Sequence, residues 1–442
     1  MNERHAPHVS RRLRRAQTVA LVLLMVSGVV NYLDRGTLAV ANPSIRASLG
    51  LSLGQMGLLL SAFSWSYALC QLPIGGLVDR IGPRRLLGAG LVVWSAAQIA
   101  GGLVGSFGAF IMARIVLGVG EAPQYPSAAR VVSNWFPLRA RGAPTGVFNA
   151  ASPLGTALAP LCLSVLIASL GWRAAFIGTG VLGLVVAIVW LALYRDPHTQ
   201  HLTDEERRYL AADGGEADDA TAIPHRLSFA EWRQLFAYGT TWGMLLGFFG
   251  SVYLNWVYLS WLPGYLTLER HMSLVRTGFA ASVPFLCGFI GALMAGWFSD
   301  LITTHSHSAV ASRRNAVVVT MLGMVAFTIP AALVESNTIA LACISVVIFL
   351  ANAASACSWA LATAAAPRDR VASLGAIQNF GGFLGGALAP ALTGYIAQAS
   401  SFVPALLTAA GIAFASAMAY LLLVREPIPE QDGAEARSAL PA

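Results

Sequence analysis

Apolar stretches of about twenty residues, each separated by a short arginine-bearing loop, recur from one end of this chain to the other. A stretch of that length crosses the hydrocarbon of a bilayer as a helix, because only a helix satisfies its own backbone donors and acceptors in lipid. The pattern places spans at 17–41, 53–77, 84–106, 107–130, 142–169, 173–194, 239–266, 276–299, 315–334, 338–364, 371–397 and 402–424. Charge is correspondingly scarce: 11% of the 442 residues are charged and 56% are hydrophobic, where a soluble domain carries about 25% charged residues. The net charge of +7 would suggest nucleic acid in a soluble protein. Here the arginines sit between spans, so topology accounts for them and the expected surroundings are lipid. The fold class expected is an all-α polytopic membrane protein with 12 transmembrane helices.

Positive residues mark the cytoplasmic side of a membrane protein. Arg11 to Arg15, then Arg80, Arg84 and Arg85, then Arg139 and Arg141, then Arg313 and Arg314, then Arg368 and Arg370 fall on alternate loops. The intervening loops hold Arg46, Arg173, Arg270 and Arg276. This alternation puts both termini in the cytoplasm of a multi-pass bacterial inner-membrane protein. The N-terminal run from Val19 lacks a convincing small-residue cleavage site, so it is expected to stay as the first span.

The organisation expected is a tail at 1–16, a six-helix bundle at 17–194, a cytoplasmic linker at 195–238, a second six-helix bundle at 239–424 and a tail at 425–442. Two capping boxes, Thr203 to Glu206 and Ser228 to Glu231, open short helices in the linker. The bundles repeat one another. Asn149-AASPLGTALA-Pro160 and Asn379-FGGFLGGALA-Pro390 agree at seven of twelve positions, both ends included. A parallel repeat with its site at the interface of the halves is one of the plans of secondary transporters.

The five cysteines are scattered through apolar stretches and the eight histidines lie in loops or the N-terminal tail. No metal cluster, nucleophile–base pair or cofactor motif results, so neither an enzyme nor a metal or cofactor site is expected. Charge at membrane depth is the better guide. Asp34, Arg35, Arg114 and Glu121 lie well inside spans, where each charge costs about 2.5–3.5 kcal/mol on insertion scales. Arg114 and Glu121, seven apart, share a helix face, whereas Asp34 and Arg35 point in different directions. An arginine grips a carboxylate with a fork and stays charged, and a buried carboxylate can carry a proton. The four residues thus hold both parts of an anion–proton symporter, or else simply neutralise one another. Asn31, Tyr67, Gln71, Asn255, Trp256, Trp261, Asn352, Ser355, Ser358 and Trp359 supply amides, hydroxyls and aromatic faces for a central cavity.

The segment Gly75-Gly-Leu-Val-Asp79-Arg80-Ile-Gly82-Pro-Arg84-Arg85 resembles the signature loop of the major facilitator superfamily. The resemblance implies the major facilitator fold, two pseudo-symmetric six-helix bundles, with Asp79, Arg80, Arg84, Arg85 and the half-copy ending at Asp300 as a cytoplasmic gate. Asn31 to Arg35, Gly118-x-Gly-Glu121-Ala-Pro123-x-x-Pro126 and Trp135-Phe-Pro137 resemble the anion:cation symporter family of sugar-acid and other organic-acid transporters. That likeness implies Asp34 and Glu121 as proton-coupling residues. It implies Arg35, Arg114, Tyr32, Tyr67 and Asn379, beside Gln71, Asn255, Ser358 and Trp359, as substrate-binding residues. The function expected is proton-coupled uptake of a small organic acid anion, with a proton-driven exporter of a drug or metabolite as the alternative. A monomer is expected, its partners the anion, protons and lipid. Phe383 stands where many sugar-acid members carry a second amide, which leaves room for a less hydroxylated acid.

Overall fold

The computed structural model describes residues 10–137, 140–197, 202–211, 233–303, 309–367 and 370–429, with side chains at all of these except Leu72, Asp79, Ala211, 295–303, Ala309 and Ala372. The linker sequence around Ser228 and the side chains of Asp79 and Asp300 therefore lie outside the described residues. The helices are α1 (Arg11–Leu49), α2 (Leu53–Ile81), α3 (Pro83–Leu103), α4 (Phe107–Glu121), α5 (Gln124–Trp135), α6 (Gly142–Leu193), α7 (Asp204–Ala211), α8 (Gly239–Leu268), α9 (Leu274–Thr303), α10 (Ala309–Leu333), α11 (Asn337–Ala365), α12 (Val371–Ala399) and α13 (Phe402–Leu423). Among the described residues, nine helices are long and apolar enough to cross a membrane. Their outer faces carry exposed Leu103, Ile188 and Leu293, while Asn31, Asp34 and Glu121 are fully buried. That is the inverse of a soluble protein and the arrangement lipid demands.

One expected span is divided otherwise than the hydropathy pattern suggests. The fourth breaks at Ala122-Pro123 into α4 and α5, because a proline has no N–H to continue the ladder. The fifth and sixth spans, both within α6, part where expected. The chain turns at Gly171, where φ is 84° and ψ 164°, a conformation open to glycine.

Loop arginines cap helix ends. Arg84 donates to the carbonyls of Tyr194 at 2.9 Å and Leu191 at 2.6 Å. Arg173 donates to Gly102 at 3.0 Å and Val104 at 2.8 Å, and Arg270 to Glu335 at 3.0 Å and Ala331 at 3.1 Å. Arg313 reaches the carbonyl of Ala360 at 2.9 Å and Arg314 that of Val424 at 3.3 Å. Apart from Arg313, which ends on an interior carbonyl of α11, these donors satisfy carbonyls at or just past a helix C-terminus, where no internal donor is available. Of the other arginines of the expected gate, Arg80 and Arg85 are exposed.

Contacts between the first and second halves of the chain run along two main seams, α2 against α12 and α6 against α9, with α1 against α8 between them. Both seams are tight at the end of the molecule that carries Gly50 and Gly171. Ser61 Oγ accepts from the Ala391 amide at 3.1 Å, and Gln398 Oε1 from the Gly54 amide at 2.9 Å. A Cβ on Gly57 would stand 2.6 Å from the Pro390 carbonyl, and one on Gly278 2.5 Å from the Pro160 carbonyl. The two prolines that close the repeated segment thus occupy matching places on the two seams. At this end the two halves are sealed against each other.

The linker helix α7 begins with the expected capping box, Thr203 Oγ1 accepting from the Glu206 amide at 3.3 Å and Glu206 Oε2 from the Thr203 amide at 2.9 Å. Leu202, Tyr209 and Leu210 pack on the core of the first half, and the Ser10 hydroxyl donates to Glu206 Oε1. The Ser10 hydroxyl, and after it the Thr203 amide, hold the Glu206 carboxyl below the usual carboxylate range.

Two outcomes are expected. Gly57→Val forces a side chain into the Pro390 carbonyl and destabilises the sealed seam by about 1–3 kcal/mol; impermeant thiol labelling of a cysteine introduced by S61C rises, and unchanged labelling would show that this contact does not hold the seam. Ser10→Ala loses a hydrogen bond worth about 1 kcal/mol, so amide exchange at 204–211 quickens about fivefold. Because the folded carboxyl is shifted downward, that stabilisation is complete above the ordinary glutamate range and lost as pH falls through the lowered value. Wild type and Ser10→Ala then converge in acid, and a gap that persists there would contradict the role of the carboxylate.

Candidate functional site

The break after Glu121 positions the most costly charge in the molecule. Small residues bring α4 close to its neighbours: a Cβ on Gly120 would lie 2.6 Å from the Trp94 backbone nitrogen. Glu121 is the last residue of α4. Beyond it Gln71 donates to the Ala122 carbonyl at 3.3 Å, and Gln124 donates to the Ser27 hydroxyl at 2.9 Å. These amides brace the break, and the Glu121 side chain projects with no exposure to solvent.

Its partner is Arg35, whose Nε donates to Glu121 Oε2 at 2.7 Å. The guanidinium carbon lies 4.8 Å from the ring centroids of Tyr32, Phe63 and Tyr67 alike. An arginine with one edge on a carboxylate and its faces among aromatic rings is held by charge and by the ring quadrupoles together. Its Nη2 has no hydrogen-bond partner, nor does Glu121 Oε1. Arg114 lies beyond Phe63, 5.2 Å from the ring centroid, buried, with Nε and Nη1 unpartnered.

Arg35 separates two spaces. A chamber of about 310 Å³ is lined by Tyr32, Arg35, Tyr67, Asn255, Trp359 and Asn379, with Phe63, Ser64, Tyr125, Trp256, Ser355 and Phe383 also on its wall. A smaller space of about 30 Å³ on its other side is bounded by Arg35, Arg114, Phe63, Thr156, Trp256 and Phe285. An annex of about 130 Å³ contains Asn255 and Asn352. Both arginines therefore border central space, and six of the residues singled out in the sequence for substrate share one chamber.

The remaining candidates lie elsewhere. Gln71 spends its amide on the α4 break and lines a crevice between α2 and α12 of about 220 Å³. Ser358 is fully buried, donates to the Ala354 carbonyl at 2.8 Å and is directed toward Tyr420. Asp34 is also fully buried and lines neither space, facing the Trp94 indole and Thr179 on α3 and α6. Adjacent Asp34 and Arg35 do point different ways, but it is Arg35 that meets both the fourth span and the cavity.

Several site residues carry no mark in the sequence. Phe63 stands one helical turn before Tyr67, so its place on the same face was readable from the spacing. Tyr125, which resembles an interfacial aromatic, lines the chamber, its hydroxyl 3.4 Å from that of Tyr32. Trp94 and Gln98 stand one turn apart on α3, far in sequence from Thr179 and from Asp34, and carry no charge, so nothing short of the fold associates them with that acid.

The sequence matches the model of the Major Facilitator Superfamily over residues 24–390. It is 42% identical over 426 residues to a probable L-galactonate transporter of Escherichia coli strain K12, covering 96% of this chain and 93% of that one. It is 31% identical to a D-galactonate transporter of Escherichia coli O6:H1, covering 93% of this chain and 96% of the relative. Its fold is similar to the crystal structure of a bacterial homologue of the human lysosomal transporter Spinster in an inward-facing, occupied conformation, with a TM-score of 0.74, 18% identity and coverage of 94% of this chain and 97% of the other.

The ion pair itself is testable in detergent. Arg35→Met strands a buried carboxylate and costs about 3–5 kcal/mol, whereas Arg35→Met with Glu121→Gln recovers most of the loss. Additive melting shifts in this cycle would mean that the two side chains are not energetically coupled.

Proposed function

The chain belongs to the Major Facilitator Superfamily and is a multi-pass membrane transporter, not an enzyme, and we propose that it takes up a small sugar-acid anion together with protons. The observation that carries the reading is the Arg35–Glu121 pair at the wall of the central chamber. One cation there faces two carboxylates in turn, that of Glu121 and that of the substrate. The relatives that carry galactonate support an aldonate as the substrate class. The chamber supports it chemically: Asn255, Asn379 and Ser355 offer amides and a hydroxyl to a hydroxylated chain, and aromatic rings flank its carbon skeleton.

The mechanism follows from protonation. A proton on Glu121 removes its charge and frees Arg35 to bind the substrate carboxylate through a fork. When Glu121 loses that proton it reclaims Arg35, and the anion is left without a counter-charge in a medium where that is costly. Asp34 is the second proton carrier, and Arg114 holds the local charge while Arg35 changes partner. The positive-inside rule assigns the arginine-rich end to the cytoplasm. On that assignment the sealed end faces away from the cytoplasm, and the paired Arg35 and Glu121 correspond to the state after release. The halves at 17–194 and 239–424 rock about the seams as alternating access requires. One proton with a monoanion moves no net charge; a second proton lets the membrane potential contribute about 2.3 kcal/mol per 100 mV.

In proteoliposomes, uptake of galactonate rises as the outside pH falls, because loading requires the protonated carboxyl. Glu121→Gln keeps counterflow exchange but abolishes accumulation driven by a pH gradient, and Arg114→Ala abolishes both. Equal loss of exchange and accumulation in Glu121→Gln would make the residue structural and remove the symport mechanism.

A further inference from the structure

Asp34 sits in a second polar enclosure, separate from the chamber. Around it, inside the first half of the chain, lie Trp94 and Gln98 of α3 and Thr179 of α6. All four are at least nine-tenths buried, and none lines the central spaces. The Gln98 amide donates to Thr179 Oγ1 at 3.0 Å and reaches the Asp34 backbone carbonyl at 3.5 Å, the limit of hydrogen bonding. It thereby ties α3, α6 and α1 together at the level of this one carboxylate. Thr179 in turn donates to the Phe176 carbonyl at 3.3 Å.

The polar atoms of this enclosure are not consumed by one another. Both carboxylate oxygens of Asp34, the Trp94 indole nitrogen and Gln98 Oε1 are buried without a protein partner. Buried polar groups in native proteins are satisfied, by protein or by internal water. Two such atoms beside the two oxygens of one acid in lipid-spanning helices are costly unless they serve it. An apolar trio would pack α3 against α6 at no such cost.

We propose that Trp94, Gln98 and Thr179 are positioning residues that hold the Asp34 carboxyl in a closed, water-bridged polar pocket and so set the pH at which it exchanges its proton. The pocket rests on the reading of Asp34 as a proton carrier. The charged and titratable groups that face Asp34 are Glu121 and Arg114 of α4. The trio adds neutral polar groups from α3 and α6, among them the Trp94 indole N–H, a donor with no other partner. Arg35 and its aromatic neighbours fix the substrate carboxylate, and the second enclosure governs the proton alone.

The experiment compares wild type, Gln98→Leu, Thr179→Val and Thr179→Ser in proteoliposomes, using radiolabelled galactonate and reading pH-driven accumulation, counterflow exchange and the pH profile of uptake. Removing polar groups that hold internal water against the carboxylate disfavours its charged form, so in Gln98→Leu and Thr179→Val the profile moves toward alkaline pH by about half a unit or more. Accumulation falls several-fold more than exchange, and Thr179→Ser, which keeps the hydroxyl, restores the wild-type profile. Melting of each purified variant shows that it is folded. A profile superimposable on wild type in folded Gln98→Leu and Thr179→Val overturns the proposal, as does a Thr179→Ser that behaves like Thr179→Val. Wild-type protein that exchanges galactonate but never accumulates it on a pH gradient would instead end the proton reading, and the role of the pocket with it.

Discussion

A guanidinium and a carboxylate 2.7 Å apart in the middle of a membrane protein constrain nearly everything around them. Neither charge is tolerable alone in that medium. The break at Pro123 ends α4 at the carboxylate, the ring cage of Tyr32, Phe63 and Tyr67 fixes the guanidinium, and Gly120 lets α3 approach α4. The chamber wall lies where it does because Arg35 must reach both Glu121 and open space. A pair of this kind is poor as a source of stability and well suited to a switch, since a single proton decides whether it exists.

The internal repeat has a physical reason of the same directness. In lipid no hydrophobic force draws helices together, so association depends on close packing. The repeated Asn-to-Pro segment brings one proline carbonyl to each inter-half seam, Pro160 opposite Gly278 and Pro390 opposite Gly57. A side chain at either glycine would prise the contact open. Tight closure at one end follows from contacts that are intimate but few.

The sequence made the helices, the intramembrane charges and the repeat legible, because each rests on a strong local signal: length, cost or identity. Arg35 stood out by its cost, Tyr67, Asn255 and Trp359 as polar or aromatic residues within spans, and Tyr32 and Asn379 through the family resemblance; all six line one chamber. The break of the fourth span was hidden, since hydropathy does not register a proline near a span centre. The direction of a side chain was the weakest point. Ser355 and Ser358 differ by less than one turn, yet one lines the chamber and the other bonds back to its own helix. Uncharged groups such as Gln98 and Thr179 gain meaning only from the neighbours that the fold gives them.

The arginine caps bear on motion as well as on stability. Arg84 and Arg173 link helices within the first half of the chain, and Arg270, Arg313 and Arg314 link helices within the second. None of these ties crosses from one half to the other. Each half is riveted internally by its arginines, while the halves are fastened to one another through Ser61 with the Ala391 amide and Gln398 with the Gly54 amide. A swing between the two breaks no arginine bond of this set, and parting the sealed end costs neutral hydrogen bonds instead, which salt does not screen.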